Sequence, residues 1–229
     1  MDLATESWQD DEIVVMYGSV ELSFPEPHSR HTVGDFPYYK LRAGDLNNDN
    51  YIDLFTANWG SSSISVLLAN RDGDFDPAIF VPTPPSPFGV AIGDLNNDGH
   101  QDLVTVHRAG NPQISEADGF SVILGNGSGE FSLFAGSLPE TGASPTSLAI
   151  GDFNGDRTDD IAIANYGSND VSIILAKEGG FVASKRSPFP VGVGPVTVLL
   201  EDLNHDGMDD IVTTDSVSKS VSIVFAREE

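Results

Sequence analysis

Four nine-residue stretches carry most of the side chains in this sequence that could do chemistry. One runs Asp94-Leu95-Asn96-Asn97-Asp98-Gly99-His100-Gln101-Asp102. Side-chain oxygens stand at positions 1, 3, 5 and 9, a glycine stands at 6, and the position 7 carbonyl is available. Calcium takes six to eight oxygen ligands from a tightly curled loop, and alternate residues of such a loop point inward. The side-chain ligands here would be Asp94, Asn96, Asp98 and Asp102, with the carbonyl of His100. The pattern recurs as Asp45, Asn47, Asp49, Asp53 and Tyr51, as Asp152, Asn154, Asp156, Asp160 and Thr158, and as Asp202, Asn204, Asp206, Asp210 and Met208. All-oxygen ligation disfavours zinc and copper, and magnesium prefers strict octahedra with retained waters. Up to four Ca²⁺ ions are therefore expected. Each loop holds three ligand aspartates, so one divalent ion would change its ligand charge from −3 to −1. Asp and Asn also favour turns without any metal, but four matching loops in register are poorly explained that way. Position 6 departs from glycine twice, at Asn50 and at Arg157, and the third loop is the weaker for it.

The loops must be positioned by what flanks them. The segments 44–54 (GDLNNDNYIDL), 93–103 (GDLNNDGHQDL), 151–161 (GDFNGDRTDDI) and 201–211 (EDLNHDGMDDI) align without gaps, and their first aspartates lie 49, 58 and 50 residues apart. An apolar run enters each acidic segment, a second leaves it, a third follows a short polar turn, and a fourth is weaker and aromatic. These β-branched and aromatic runs, bounded by Gly, Asn, Asp and Pro, read as strands. No segment shows a sustained helical period. The predicted class is all-β: a β-propeller of four-stranded antiparallel blades, since a period near 50 fits one blade.

A constant spacing fixes the phase. Asp2 to Gly18, Asp53 to Ala69, Asp160 to Ala176 and Asp210 to Ala226 are each 16 residues; Asp102 to Gly125 is 23, a seven-residue insertion. The sequence thus opens at the second strand of a blade and stops after the third strand of another. The predicted division is a partial blade at 1–36, blades at 37–86, 87–144 and 145–193, and a partial blade at 194–229, a single domain with 18 strands. That is about 4.5 repeats, either part of a seven-bladed propeller or a closed five-unit ring. Two incomplete terminal blades would expose apolar faces, so self-association through them is expected.

These loops resemble the calcium loop of FG-GAP (VCBS-type) repeats, known from integrin α-subunit propellers and many microbial surface proteins. The resemblance spans nearly the whole chain. It implies blades with the first strand innermost and calcium between the first and second strands. It also implies adhesion modules, lectins or enzyme appendages, with no single activity.

The face opposite the acidic loops carries the longer connections, including Thr83-Pro84-Pro85-Ser86-Pro87 and the insertion around residues 110–117. Binding commonly resides in such variable loops on a rigid scaffold. Six residues after each ninth-position aspartate come Trp8, Trp59, Arg108, Tyr166 and Ser216. Exposed aromatics contact sugars and proteins, and equally such residues could cover the blade ends. Trp8, Trp59, Arg108 and Tyr166 are the candidate ligand contacts.

Other classes fit poorly. Eleven Lys and Arg against 35 Asp and Glu give a net charge of −24, which repels nucleic acid and anionic lipid. The absence of cysteine excludes disulfides and thiolate chemistry. The apolar runs are far too short for membrane insertion as helices. The five histidines show no triad or metal spacing, and His100 and His205 are expected to face solvent. His107, Glu116, Asp118 and Glu140 are the only obvious acid–base candidates on the variable face, so no enzyme activity is expected. The reading is a calcium-binding propeller that binds protein or carbohydrate; the alternative is an accessory or catalytic segment of a polysaccharide-degrading hydrolase or lyase. Loops of this kind fill at extracellular calcium levels, so an extracellular or cell-surface location is expected.

Overall fold

Each repeat can bury its apolar residues only by pairing its strands into a sheet and laying that sheet on a neighbour. The computed structural model describes residues 2–21, 23–37, 41–108 and 118–227. Among them there is no helix, and five antiparallel sheets follow one another along the chain. The first contains β1 (Leu3–Ser7), β2 (Glu12–Met16) and β3 (Ser29–Thr32). The second contains β4 (Arg42–Gly44), β5 (Asp53–Asn58), β6 (Ser63–Leu67) and β7 (Ile79–Pro82). The third contains β8 (Pro87–Gly93), β9 (Asp102–His107), β10 (Gly119–Gly125) and β11 (Phe131–Leu133). The fourth contains β12 (Pro145–Gly151), β13 (Asp160–Asn165), β14 (Asp170–Lys177), β15 (Gly180–Ala183) and β16 (Phe189–Pro190). The fifth contains β17 (Pro195–Glu201), β18 (Asp210–Asp215) and β19 (Ser220–Val224).

The described strands number 19, one more than the sequence predicts. The extra one is β16. β14 is eight residues long, so β15 pairs with its end and β16 with its start, at Val171 and Asp170. The turn between them is anchored where the Ser184 N–H donates to the Ile173 carbonyl and the Ile173 N–H donates to Ser187 Oγ.

Strands β5, β9 and β13 are buried at every residue. They lie between two neighbouring sheets, which is why they read as almost continuous apolar runs. Leu46, Phe55, Ile64 and Val66 of the second sheet pack on Val90, Leu103 and Ile123 of the third. Val104, Val106 and Val122 of the third pack on Leu148, Ile161 and Ile174 of the fourth. Ala162, Val171 and Ile173 of the fourth pack on Val198 and Ile211 of the fifth. Every junction therefore joins one face of a sheet to the opposite face of the next.

The glycine before each of the first three acidic loops permits this approach. A Cβ at Gly44 would collide with Ile92 Cδ1, and one at Gly93 would meet Ile150 Cγ2 and Asp159 Oδ2. At Gly151 it would meet Asp209 Oδ2 and Leu200. Gly119 has nothing within 4 Å of its Cβ direction. Gly151→Ala should therefore destabilise the protein by about 1–3 kcal/mol through overpacking, while Gly119→Ala should stay within about 0.5 kcal/mol. Urea unfolding of the two variants checks this; equal midpoints would contradict the close approach.

Candidate metal loops and the face opposite them

Each acidic segment connects the first strand of its repeat to the second, and its ninth residue ties together three parts of the sheet. Asp53 is fully buried; Oδ1 accepts the Ala69 N–H at 2.8 Å and Oδ2 the Leu46 N–H at 2.8 Å. Asp102 accepts from Gly125 at 2.9 Å and Leu95 at 3.1 Å. Asp210 accepts from Ala226 at 2.9 Å and Leu203 at 3.2 Å. Asp160 Oδ1 accepts from Ala176 at 2.9 Å. In the first sheet Asp2 Oδ1 accepts from Gly18 at 2.8 Å. The repeated spacing in the sequence is thus the span of one carboxylate-to-amide bond.

The first eight residues of each segment curl around their own side chains. Asp45 accepts the N–H groups of Asp49 and Asn50, and Asp94 those of Asp98 and Gly99. Asp152 accepts from Asp156 and Arg157, and Asp202 from Asp206 and Gly207. Asn47, Asn96 and Asn154 accept the same position 5 N–H groups. Asp49, Asp98, Asp156 and Asp206 accept from Tyr51, His100, Thr158 and Met208 at position 7. Position 6 is left-handed in every loop, including Arg157 at φ 68°. Position 4 is left-handed too, at Asn48, Asn97, Gly155 and His205. Among the described residues no group of three acidic or imidazole side chains converges closely enough to cage an ion.

Two corrections concern histidines. His100 does not simply face solvent: its Nδ1 lies 2.9 Å from Asn48 Nδ2, which also donates to the Gly99 carbonyl, so it joins the first loop to the second. The loops are also joined through position 8. Asp159 Oδ2 accepts the Asp94 N–H at 3.0 Å, and Asp209 Oδ2 accepts the Asp152 N–H at 2.9 Å.

Burial dominates the electrostatics. Desolvation pushes Asp102 up to about 6, with the Asp98 and Asp94 charges adding to it. It pushes Asp160 up to about 7, again with neighbouring aspartates contributing. Asp53, Asp159 and Asp209 are raised for the same first reason. The third loop is the least balanced: Asp160 Oδ2 is buried without a hydrogen-bond donor. Burial works upward on Asp156 as well, but its net shift is downward, because Lys177 Nζ donates to Oδ2 at 2.7 Å and further hydrogen bonds assist. A buried carboxylate oxygen with no donor is what a hard cation would satisfy. An all-oxygen donor set on a curled backbone fits calcium in kind.

On the opposite face the structure reveals a second repeated device that periodicity alone did not show. Five residues after each ninth-position aspartate stand Asn58, His107, Asn165 and Asp215, all buried. Asn58 Nδ2 donates to Ser65 Oγ and Asn165 Nδ2 to Ser172 Oγ, while Ser222 Oγ donates to Asp215 Oδ2. His107 lies with Nε2 at 2.9 Å from Ser121 Oγ and Nδ1 at 3.0 Å from the Pro85 carbonyl. The same serines receive backbone N–H groups: Gly34 on Ser65, Gly142 on Ser172 and Gly192 on Ser222. His107 is therefore part of a structural brace. Asp118 Oδ2 accepts the Ser144 N–H at 2.7 Å. The insertion around residues 110–117, with Glu116, lies outside the described residues. Pro37, Pro87, Pro145 and Pro195 each follow a left-handed residue, namely Phe36, Ser86, Ser144 and Gly194.

Those four carbonyls fix the candidate ligand register. They accept the N–H groups of Trp59, Arg108, Tyr166 and Ser216. The backbone of this register is structural, and its side chains divide. Trp8 and Trp59 are exposed, at 50% and 39%. The Arg108 guanidinium instead lies 5.5 Å from the Phe88 ring centre and 5.8 Å from that of Tyr166, bridging the third sheet to the fourth. Among these four, the structure brings only Arg108 and Tyr166 together.

The FG-GAP-like repeat model matches residues 45–105 and 152–213. No curated protein gives a significant match. Among solved structures, a protein of Desulfotomaculum acetoxidans DSM 771, described as functionally unknown, is similar at 13% identity and a TM-score of 0.62. That match covers 97% of this chain and 65% of the other. A structure of BBS1N in complex with ARL6DN, soaked with mercury, is similar at 11% identity and a TM-score of 0.51, covering 83% of this chain and 58% of the other. This chain thus spans less than two thirds of the length of these two neighbours. At such identities the likeness is one of fold.

The raised carboxylates give a pH prediction. Their folded values lie above the ordinary 3.8. Their protonation therefore favours the folded state, fully so below that ordinary value, and the benefit is lost as pH rises through about 6 and 7. In chelating buffer the Tm should rise between pH 8 and pH 6. Scanning fluorimetry measures it; a flat or opposite trend would contradict the burial of Asp102 and Asp160.

Proposed function

We infer the role of this chain from one premise: it belongs to the FG-GAP-like repeat family, whose model matches more than half of its length. We propose that it is a calcium-binding β-propeller unit, non-catalytic, that presents a binding surface to a protein or a carbohydrate. The observation that carries this reading is the division of the repeats into two ends. One end bears four acidic loops of a single design. The other bears longer connections that differ from repeat to repeat, on buried polar braces.

Calcium would be held by the aspartates and asparagines at positions 1, 3 and 5, with position 9 and the position 7 carbonyl completing each set. Bound there, it would supply positive charge and cross-link the loop. Lys177 competes for Asp156, so the third loop is the weakest of the four. The all-oxygen donors and the unpartnered Asp160 Oδ2 support this assignment. The low affinity of such loops in extracellular modules supports placing the protein outside the cell or at its surface. No described helix is long and apolar enough to cross a membrane.

The ligand face would use exposed Trp8 and Trp59, with Arg108 and Tyr166 at the junction of the third and fourth sheets. BBS1N, a fold neighbour, was crystallised with a protein partner, which favours a protein ligand. Neither His107 nor Asp118 is available in the way a polysaccharide hydrolase or lyase would need, since each braces backbone or serine groups.

Three experiments test the reading. Calcium should raise the Tm over chelator more than equal magnesium does, its binding stabilising the fold by about 1.4 kcal/mol per site at tenfold excess over Kd. Calorimetric stoichiometry should fall by one in Asp98→Ala and hold in Asn97→Gly, which keeps the left-handed backbone; equal stoichiometries would mean the ligand register is wrong. Separately, a glycan array and a cell-surface protein capture should lose their signal in Trp59→Ala with Tm unchanged. Release of sugar product from a polysaccharide would instead establish the enzymatic alternative.

A further inference from the structure

The junction between the second and third sheets and the junction between the third and fourth are built alike, yet at the acidic end one is sealed and the other open. In the sealed junction the hairpin joining β10 to β11 reaches the sheet before it: a Cβ at Gly129 would meet Leu68 Cδ1 at 2.7 Å. His100 fills the space between that hairpin and the preceding acidic loop. Its ring lies against Gly127, and its Nδ1 stands 2.9 Å from Asn48 Nδ2.

Each of these parts is altered at the next junction. Five residues lie between paired Gly125 and Phe131, but only four between paired Ala176 and Phe181, because Lys177 pairs with Gly180 in a two-residue turn. The shorter hairpin does not reach across, and a Cβ at Gly179 would have nothing within 4 Å. The counterpart of His100 is Thr158, whose hydroxyl donates to Asp156 in its own loop. Asn97, the counterpart of Asn48, is exposed, and its side chain forms no hydrogen bond among the described residues. The result is a cleft of about 550 Å³, within the roughly 300–1,000 Å³ of small-molecule sites. Leu95, Leu124, Phe134 and Phe181 form its apolar part, with the two rings edge to face at 5.1 Å. Asn97, Lys177 and Glu178 stand around it. Both walls belong to internal sheets of the series.

The charges around the cleft select its ligand. The Lys177 ammonium opposes a cation, while Glu178 and a net charge of −24 oppose an anion. Lys177 is already held by Asp156 at 2.7 Å. That leaves the Asn97 amide, with two donors and an acceptor, and the Glu178 carboxylate, which accepts from hydroxyls. A neutral ring with hydroxyls on its edge and C–H groups on its face matches this polar rim and apolar floor together. We propose that the cleft is a second binding site, distinct from the variable face, and that it takes a neutral pyranose sugar. The sugar lays its C–H face toward Phe134 and bonds Asn97 and Glu178 through its hydroxyls. Neither residue is among the calcium ligands assigned above, so the site works beside filled acidic loops.

Amide NMR titration of the full chain with neutral methyl pyranosides at millimolar concentration, in calcium, tests this. Shifts should appear at residues 95–97, 134 and 177–181. Glu178→Ala should weaken binding about tenfold and Asn97→Gly about threefold, for one charged and one neutral hydrogen bond lost. Thr158→His should abolish binding, because it supplies the ring that seals the neighbouring junction. Calcium stoichiometry should stay native in all three variants, which shows that the loops remain formed; if Thr158→His does not fold, the other two carry the test. No shift with any neutral pyranoside would overturn the proposal, as would a preference for amino or uronic sugars. Unchanged affinity in Glu178→Ala would place the sugar elsewhere and overturn it too. Shifts at Trp59 and Arg108 alone would overturn this site while supporting the ligand face proposed above, so the two readings fail separately.

Discussion

A carboxylate buried between two backbone amides is the constraint on which the repeats depend. In Asp53, Asp102 and Asp210 one oxygen takes an N–H from the start of the acidic loop, and the other takes an N–H from the end of the third strand. Charge-assisted bonds of this kind are roughly twice as strong as neutral ones. They work against the desolvation of the carboxylate, which opposes folding and pushes Asp102 and Asp160 upward. The geometry leaves little freedom. The loop must bring its second residue back to its ninth, so it must curl, and curling needs left-handed residues at positions 4 and 6. The aspartates at 1 and 5 are then pulled toward the loop interior by amides. The acidic cluster is thus first a folding device, whose carboxylates accept the amides of their own curled loop.

How far this was legible in the sequence depends on the range of each interaction. The strands and their order could be read, because β5, β9 and β13 are rich in apolar residues between polar ends and the turn residues between them are local. The spacing from Asp53 to Ala69 could be read as a constant, although its cause, a side chain bonding a distant amide, could not. The polar braces went unread for a different reason. Asn58, His107, Asn165 and Asp215 differ in type, and what they share is a serine on the adjacent strand and a burial that only the folded sheet creates. His107 looked like an acid–base candidate because a sequence does not show that both its nitrogens are occupied. The strand β16 was missed because two short partners share one long strand. The role of position 4 could not be read, since Asn48, Asn97, Gly155 and His205 reveal their common left-handed φ only in the curled backbone.

The junctions between sheets obey a second rule, distinct from the loops. Apolar burial is non-directional, so by itself it would let neighbouring sheets slide. The position 8 carboxylates remove that freedom where they occur, because Asp159 and Asp209 each reach one particular amide in the preceding loop. The second junction of this kind also has the Asp209 N–H donating to the Asp152 carbonyl at 2.8 Å, which fixes both directions of the contact. Where position 8 is Ile52 or Gln101 no such bond is found, and the first and second loops are joined instead by Asn48 and His100. Register between sheets is therefore set by polar groups at the rim of an apolar contact, with glycine at the point of closest approach.

The two ends of each repeat consequently face opposite demands. At the acidic end the carboxylates at positions 1, 5 and 9 are committed to their own loop or to the strand behind it, and those of Asp159 and Asp209 to the neighbouring loop. A substitution there changes several bonds together, which leaves little room for a new specificity to arise. At the other end the backbone is held by braces that sit beneath the surface, so that Ser65, Ser172 and Ser222 anchor Gly34, Gly142 and Gly192 whatever the connections above them contain. The brace itself tolerates Asn, His or Asp, because each can bond a serine hydroxyl. Trp8 and Trp59 stand at this end with half or more of their surface packed, a large apolar area held rigid at low entropic cost. A surface whose scaffold is independent of its loops, and which offers fixed aromatics beside variable connections, is suited to recognition. The buried carboxylate at one end thereby makes the variability of the other end affordable.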